Sequence, residues 1–168
     1  MKTSKVLADA FGRIGDSVAG VLKGMGAEGL NRRPGGTGNS IAWLVWHLTR
    51  VQDSHIADAA GRDQVWISQG FAARFGFDLA PAGTGYGHSP AQVSRVRVDS
   101  GELLAEYHRA VLAVTLAFVA DLDGRELDRV VDTAWDPPVT LGVRLVSVLQ
   151  DCLMHAGQAA YVRGLGVL

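Results

Sequence analysis

The chain has 168 residues, 48% of them hydrophobic and 20% charged, with a formal net charge of −1 and a single cysteine, Cys152. That size suits one domain, residues 1–168, with its own core and no disulfide framework, and fits a reduced, cytoplasmic setting. Scattered charge argues against the basic face of a nucleic-acid binder, and no uninterrupted apolar run approaches the roughly 20 residues of a membrane span.

The N-terminus carries Lys2 and Lys5, but Asp9, Arg13 and Asp16 interrupt the apolar residues beyond them, so it does not read as a signal-peptide core. Leu7, Phe11, Ile14, Val18, Val21, Leu22 and Met25 instead recur at helical intervals and predict a first helix with one apolar stripe. The segment from Gly24 to Gly38, punctuated by Pro34-Gly35-Gly36, breaks it. Asn39 or Ser40 then serves as N-cap for a second helix running to about Ala60.

Next comes a long connection, Gly61 to Asp99, holding Phe71, Phe75, Phe77 and the stretch Gly83-Thr84-Gly85-Tyr86-Gly87-His88. Connections of that length are functional or disordered, and the aromatic residues favour short helical turns over one end of a bundle. A third helix is expected from about Ser100 to Asp121. The fourth begins after Pro137-Pro138, near Thr140, and reaches about Gly164. No strand-like alternation stands out, so the expected fold is all-α, a four-helix bundle.

Three polar residues interrupt these apolar helices. His47 lies within Ile41-Ala42-Trp43-Leu44-Val45-Trp46-His47-Leu48, and Asp151 and His155 stand four residues apart on one face of the fourth helix. Gln158 and Ser147 share that face. Buried imidazoles and carboxylates must be paired or coordinate a metal. Two His and one carboxylate make a known set for a catalytic zinc, and the same set takes iron, nickel or manganese. An internally satisfied polar cluster, with Asp151 and His155 as a helical ion pair, is the alternative.

Several segments resemble the DinB/YfiT-like metalloenzyme superfamily, especially its actinobacterial branch related to mycothiol-dependent enzymes. They are the Asn39–Leu48 segment with Gln52-Asp53, then Gly85-Tyr86-Gly87-His88-Ser89-Pro90, Trp135 with Pro137, and Asp151-Cys152-Leu153-Met154-His155-Ala156-Gly157-Gln158 continuing to Leu165. The resemblance implies a divalent metal held by one His on the second helix and a His-x-x-x-His pair on the fourth. His47 and His155 match that pattern, whereas Asp151 stands where the first His of the pair would be. It further implies a small-molecule thiol, with mycothiol as co-substrate, an electrophile as the second substrate, and a homodimer. Apolar residues that read as exposed, such as Ile56 and Val65, point to the same assembly. The competing reading is a non-catalytic dimeric bundle that binds a small ligand or partner without metal.

The remaining candidates divide by position. Trp43 and Gln158 are expected in the pocket or behind the ligands, and His88 acts there as acid or base if its loop folds over the site. Cys152 points about 100° away from Asp151 and reads as a core residue. His55 reads as surface or interface, His108 as packing, and Trp46, Trp66 and Trp135 as core or pocket wall. Arg144 and Arg163 pair at the surface or meet an anionic substrate group. The Gly83-x-Gly85-x-Gly87 spacing lacks the strand and the Lys-Ser/Thr ending of a phosphate loop.

Overall fold

A computed structural model of the chain describes residues 2–80 and 82–166. Four long helices dominate: α1 (Thr3–Leu22), α3 (Ile41–Ala60), α7 (Glu102–Ala120) and α8 (Leu141–Gly164). Each of α1 and α3 packs against both α7 and α8, which makes α1 and α3 diagonal partners in the bundle. The fold is all-α in its core, as the apolar periodicity predicts.

The helix ends obey their capping chemistry. Gly24, at φ +72°, turns the chain just after α1. Ser40 caps α3 through a 3.1 Å hydrogen bond from the Trp43 amide to its hydroxyl, and Thr140 caps α8 through the Val143 amide. Gly61, in the left-handed region, closes α3. The break after α1 contains a short helix, α2 (Ala27–Asn31).

The long connection folds into three short helices, α4 (Val65–Ser68), α5 (Phe71–Phe75) and α6 (Pro90–Val93). A buried polar network on α3 anchors it. Asp53 accepts hydrogen bonds from the amides of Val65 and Trp66, both at 2.8 Å, and from the Tyr107 hydroxyl of α7. Arg50, fully buried, donates to Gln64 Oε1, to Tyr107 Oη and to the carbonyl of Gly83, with its guanidinium 4.8 Å from the Trp66 ring centroid. These bonds hold residues 83–88 against the α3 segment that carries His47.

The structure corrects three expectations. A two-stranded antiparallel ribbon, β1 (Val130–Asp132) with β2 (Val139–Thr140), precedes α8. It is too short for its alternation to show in sequence. Trp135, in the turn of that ribbon, is 68% exposed and is not a core residue. Ile56 and Val65 are buried, because the long connection returns over the end of α3. By length and composition alone α7 is long and apolar enough to cross a membrane, with a mean hydropathy of 1.5 over its most apolar stretch, although no uninterrupted apolar run in it approaches a span. In the bundle Leu104, Tyr107, Val111, Thr115 and Val119 of that helix are buried in the core.

Candidate metal centre

His47, Asp151 and His155 converge where α3 packs on α8. One potential ligand atom from each lies within 4.8 Å of the others. His155 Nε2 is 3.6 Å from Asp151 Oδ1, and His47 Nε2 is 4.0 Å from Asp151 Oδ2. The helical spacing of four residues brings the α8 pair onto one face, and the α3–α8 packing brings His47 to meet it.

Both rings are held from behind. His47 Nδ1 is 2.6 Å from the carbonyl oxygen of Thr84, which can only accept, so Nδ1 carries the proton and Nε2 keeps its lone pair. His155 Nδ1 donates to Gln158 Oε1 at 2.8 Å. A ligating histidine ordinarily donates its distal N–H to an oxygen in this way, which fixes ring orientation and raises basicity. Asp151 Oδ2 is buried and has no hydrogen-bond partner among the described residues. A buried carboxylate oxygen left without a hydrogen-bond partner beside the Nε2 atoms of two imidazoles fits a divalent cation, which would satisfy it.

The electrostatics agree. Burial pushes the His47 pKa down, against the Thr84 hydrogen bond and with help from nearby His155, so the ring is neutral at physiological pH. The Asp151 interaction raises the His155 pKa against partial burial. Burial acts to raise the Asp151 pKa, but the hydrogen bond and charge of His155, with His47 and His55, together hold it below its ordinary value. The Asp151 side chain remains 34% exposed, so the carboxylate reaches the outer side of the site.

Aromatic residues form the inner wall. Trp43 stacks on His47 with centroids 4.6 Å apart and meets His155 edge-on. Its indole N–H donates to His88 Nδ1 at 3.2 Å, and His88 in turn stacks over Trp46. The loop thus folds over the site, and one nitrogen of His88 is engaged by Trp43. Gln158 lies behind His155 as expected, whereas the Ser147 hydroxyl donates to its own helix at the Val143 carbonyl.

Two loop residues meet the site through their backbone, and no side-chain pattern in the sequence marks them. Thr84 acts through its backbone carbonyl. Gly85 has φ +97°, and a Cβ there would stand 2.9 Å from His47 Nδ1 and 2.9 Å from the Trp46 ring. Only the density of glycines between 83 and 87 signals so close a backbone approach.

The other candidates lie elsewhere. Cys152 is fully buried in the core, its thiol facing the Leu48 carbonyl, and burial pushes its pKa far up. His55 is half-buried and accepts from Arg144, which also pairs with Asp132 and Asp58. Arg163 donates to the carbonyls of Gly20 and Val21 at the end of α1. His108 is buried between α7 and α3.

Comparison with known proteins gives two findings. The sequence model of the mycothiol-S-transferase family matches residues 6–166. The crystal structure of a conserved protein from Enterococcus faecalis is similar with a TM-score of 0.90 and 32% sequence identity, covering 97% of this chain and 96% of that one. No curated protein matches this chain.

Proposed function

The chain belongs to the mycothiol-S-transferase family, of DinB/YfiT-like fold, and from that premise we propose that it is a metal-dependent enzyme joining a low-molecular-weight thiol to an electrophile. The single observation that supports this most is the pairing of two imidazoles, each held by an oxygen at Nδ1, with a carboxylate oxygen that has no other partner among the described residues.

In this reading His47 Nε2, His155 Nε2 and an Asp151 oxygen are the ligands. Zinc suits the nitrogen-and-carboxylate set, with nickel, iron and manganese as alternatives that the same donors accept. When bound, the cation supplies the charge that favours the thiolate form of a thiol, the form that is nucleophilic. The carboxylate of Asp151 lowers the net charge of the centre relative to three imidazoles. Trp43 and the 83–88 loop exclude water from the inner side, leaving the exposed side of Asp151 as the approach for both substrates. The thiolate sulfur forms a bond to the electrophilic carbon, the leaving group departs with the displaced electron pair, and the thiol proton passes to solvent on that open side. Mycothiol is the proposed thiol, and a cytoplasmic setting belongs to the same reading.

The test is a conjugation assay with mycothiol and a model aryl halide, on protein prepared without an affinity tag and loaded with zinc. Turnover that requires both metal and His155 supports the reading. Full turnover in metal-free protein overturns it.

A homodimer is part of the proposal. Val143, Val146, Leu153, Met154 and Tyr161 are exposed and lie along one face of α8, beside the face carrying Asp151 and His155. An apolar row of that length is a surface for a second copy.

A further inference from the structure

On the opposite side of the bundle, α1 and α7 enclose a cavity of about 430 Å³. Its walls are apolar, formed by Val18, Leu22, Met25 and Ala105, and its floor reaches His108. Thr49 and His47 are two residues apart on α3, about 200° around the helix, so this cavity is separate from the metal centre.

His108 is only 2% exposed. The Thr49 hydroxyl donates to the Val45 carbonyl at 2.7 Å and therefore accepts from His108 Nδ1–H at 3.1 Å. His108 Nε2 is left as an unprotonated acceptor, buried and without a partner among the described residues. It lies beside Gly15, another wall residue, 3.9 Å from where a Cβ there would stand, with the Leu112 side chain 2.6 Å from the same point. A buried acceptor left unpaired is destabilising, and structures normally satisfy it.

We propose that this cavity is a second binding site, for a small neutral alcohol or phenol whose hydroxyl donates to His108 Nε2. An apolar body suits the walls, and the lone pair selects a donor. Burial pushes the His108 pKa down to about 4, so the ring does not become a cation that would draw an anion inward near neutral pH. Charged groups of the lining, Lys23, Glu102 and Arg109, are exposed and stay solvated around the mouth. The space is far larger than the roughly 30 Å³ of one water, so a single water does not fill it. Ligand pockets fall in this size range and carry few polar groups on apolar walls.

The test compares phenol with toluene by calorimetric titration of the full chain. Phenol is expected to bind once per chain, about tenfold or more tighter than toluene, the difference one hydrogen bond to a buried acceptor makes. In His108→Phe the preference should fall to about twofold or less. Ala19→Phe, at an exposed helix position lining the cavity, should block both ligands without disturbing the core. His155→Ala should leave phenol binding unchanged. On the wild-type chain, the ¹⁵N resonance of His108 Nε2 should move with phenol and stay with toluene, a readout that does not depend on any variant folding. Equal affinities, absence of phenol binding, or phenol binding that survives Ala19→Phe would each overturn the proposal.

Discussion

The carbonyl oxygen of Thr84 stands 2.6 Å from Nδ1 of His47, and this one bond sets which nitrogen of the ring faces Asp151. The long connection therefore shapes the site through its backbone. Gly85 makes the approach possible, since its φ of +97° and the 2.9 Å spacing to His47 leave no room for a side chain. Gly85→Ala should weaken zinc binding about tenfold or more and destabilise the fold by about 1–3 kcal/mol. Zinc titration against a competing chelator and urea denaturation measure the two effects. Unchanged zinc affinity would detach the loop from the site.

Arg50 positions the same loop from within the core. Its guanidinium meets Gly83, Gln64 and Tyr107 together, a fork that an ammonium group does not reproduce. Arg50→Lys should therefore destabilise the fold markedly, by about 3 kcal/mol, because several buried acceptors lose their donor. Amide exchange should report loosening across residues 83–88 before any loss of the four long helices. Uniform exchange rates in wild type and variant would contradict this role.

The buried neutral histidine gives a pH signature with a definite sign. His108 has its pKa lowered in the fold from 6.5 to about 4, so between those values the unfolded chain binds a proton that the folded chain does not. Stability should fall as pH drops from 6.5 toward 4 and level off above 6.5. At about 1.4 kcal/mol per pH unit, this one group accounts for about 3 kcal/mol across the window. His108→Phe should flatten that part of the profile, as measured by denaturant unfolding at a series of pH values. A slope unchanged by the substitution would assign the effect to other groups.

The exposed apolar row on α8 bears on assembly. Sedimentation equilibrium at micromolar concentration should give a dimer, and Val146→Glu with Leu153→Glu should shift it to monomer. A wild-type chain that stays monomeric under those conditions would remove the dimer from the proposal.

The four long helices are legible in sequence because their information is local. Apolar residues recur every three or four positions, and Ser40 and Thr140 sit at helix starts where a hydroxyl satisfies free amides. His47, Asp151 and His155 stand out for a related reason, as polar residues in apolar helices. Features that depend on distant chain are hidden. Ile56 and Val65 read as surface because nothing nearby in sequence announces that the 61–101 connection covers them. The Thr84 contact is made by a carbonyl, which every residue has, so no side-chain pattern marks it. The β1–β2 ribbon is too brief to leave a period.

Metal content per chain decides whether His47, Asp151 and His155 hold a divalent metal. The measurement is mass-spectrometric, on untagged protein dialysed against trace zinc, with wild type, His155→Ala and Asp151→His side by side. The expected result is about one zinc per wild-type chain, near zero in His155→Ala, where two ligands hold the ion poorly, and about one in Asp151→His. Wild-type protein without bound zinc, or His155→Ala retaining the wild-type amount, would contradict the assignment.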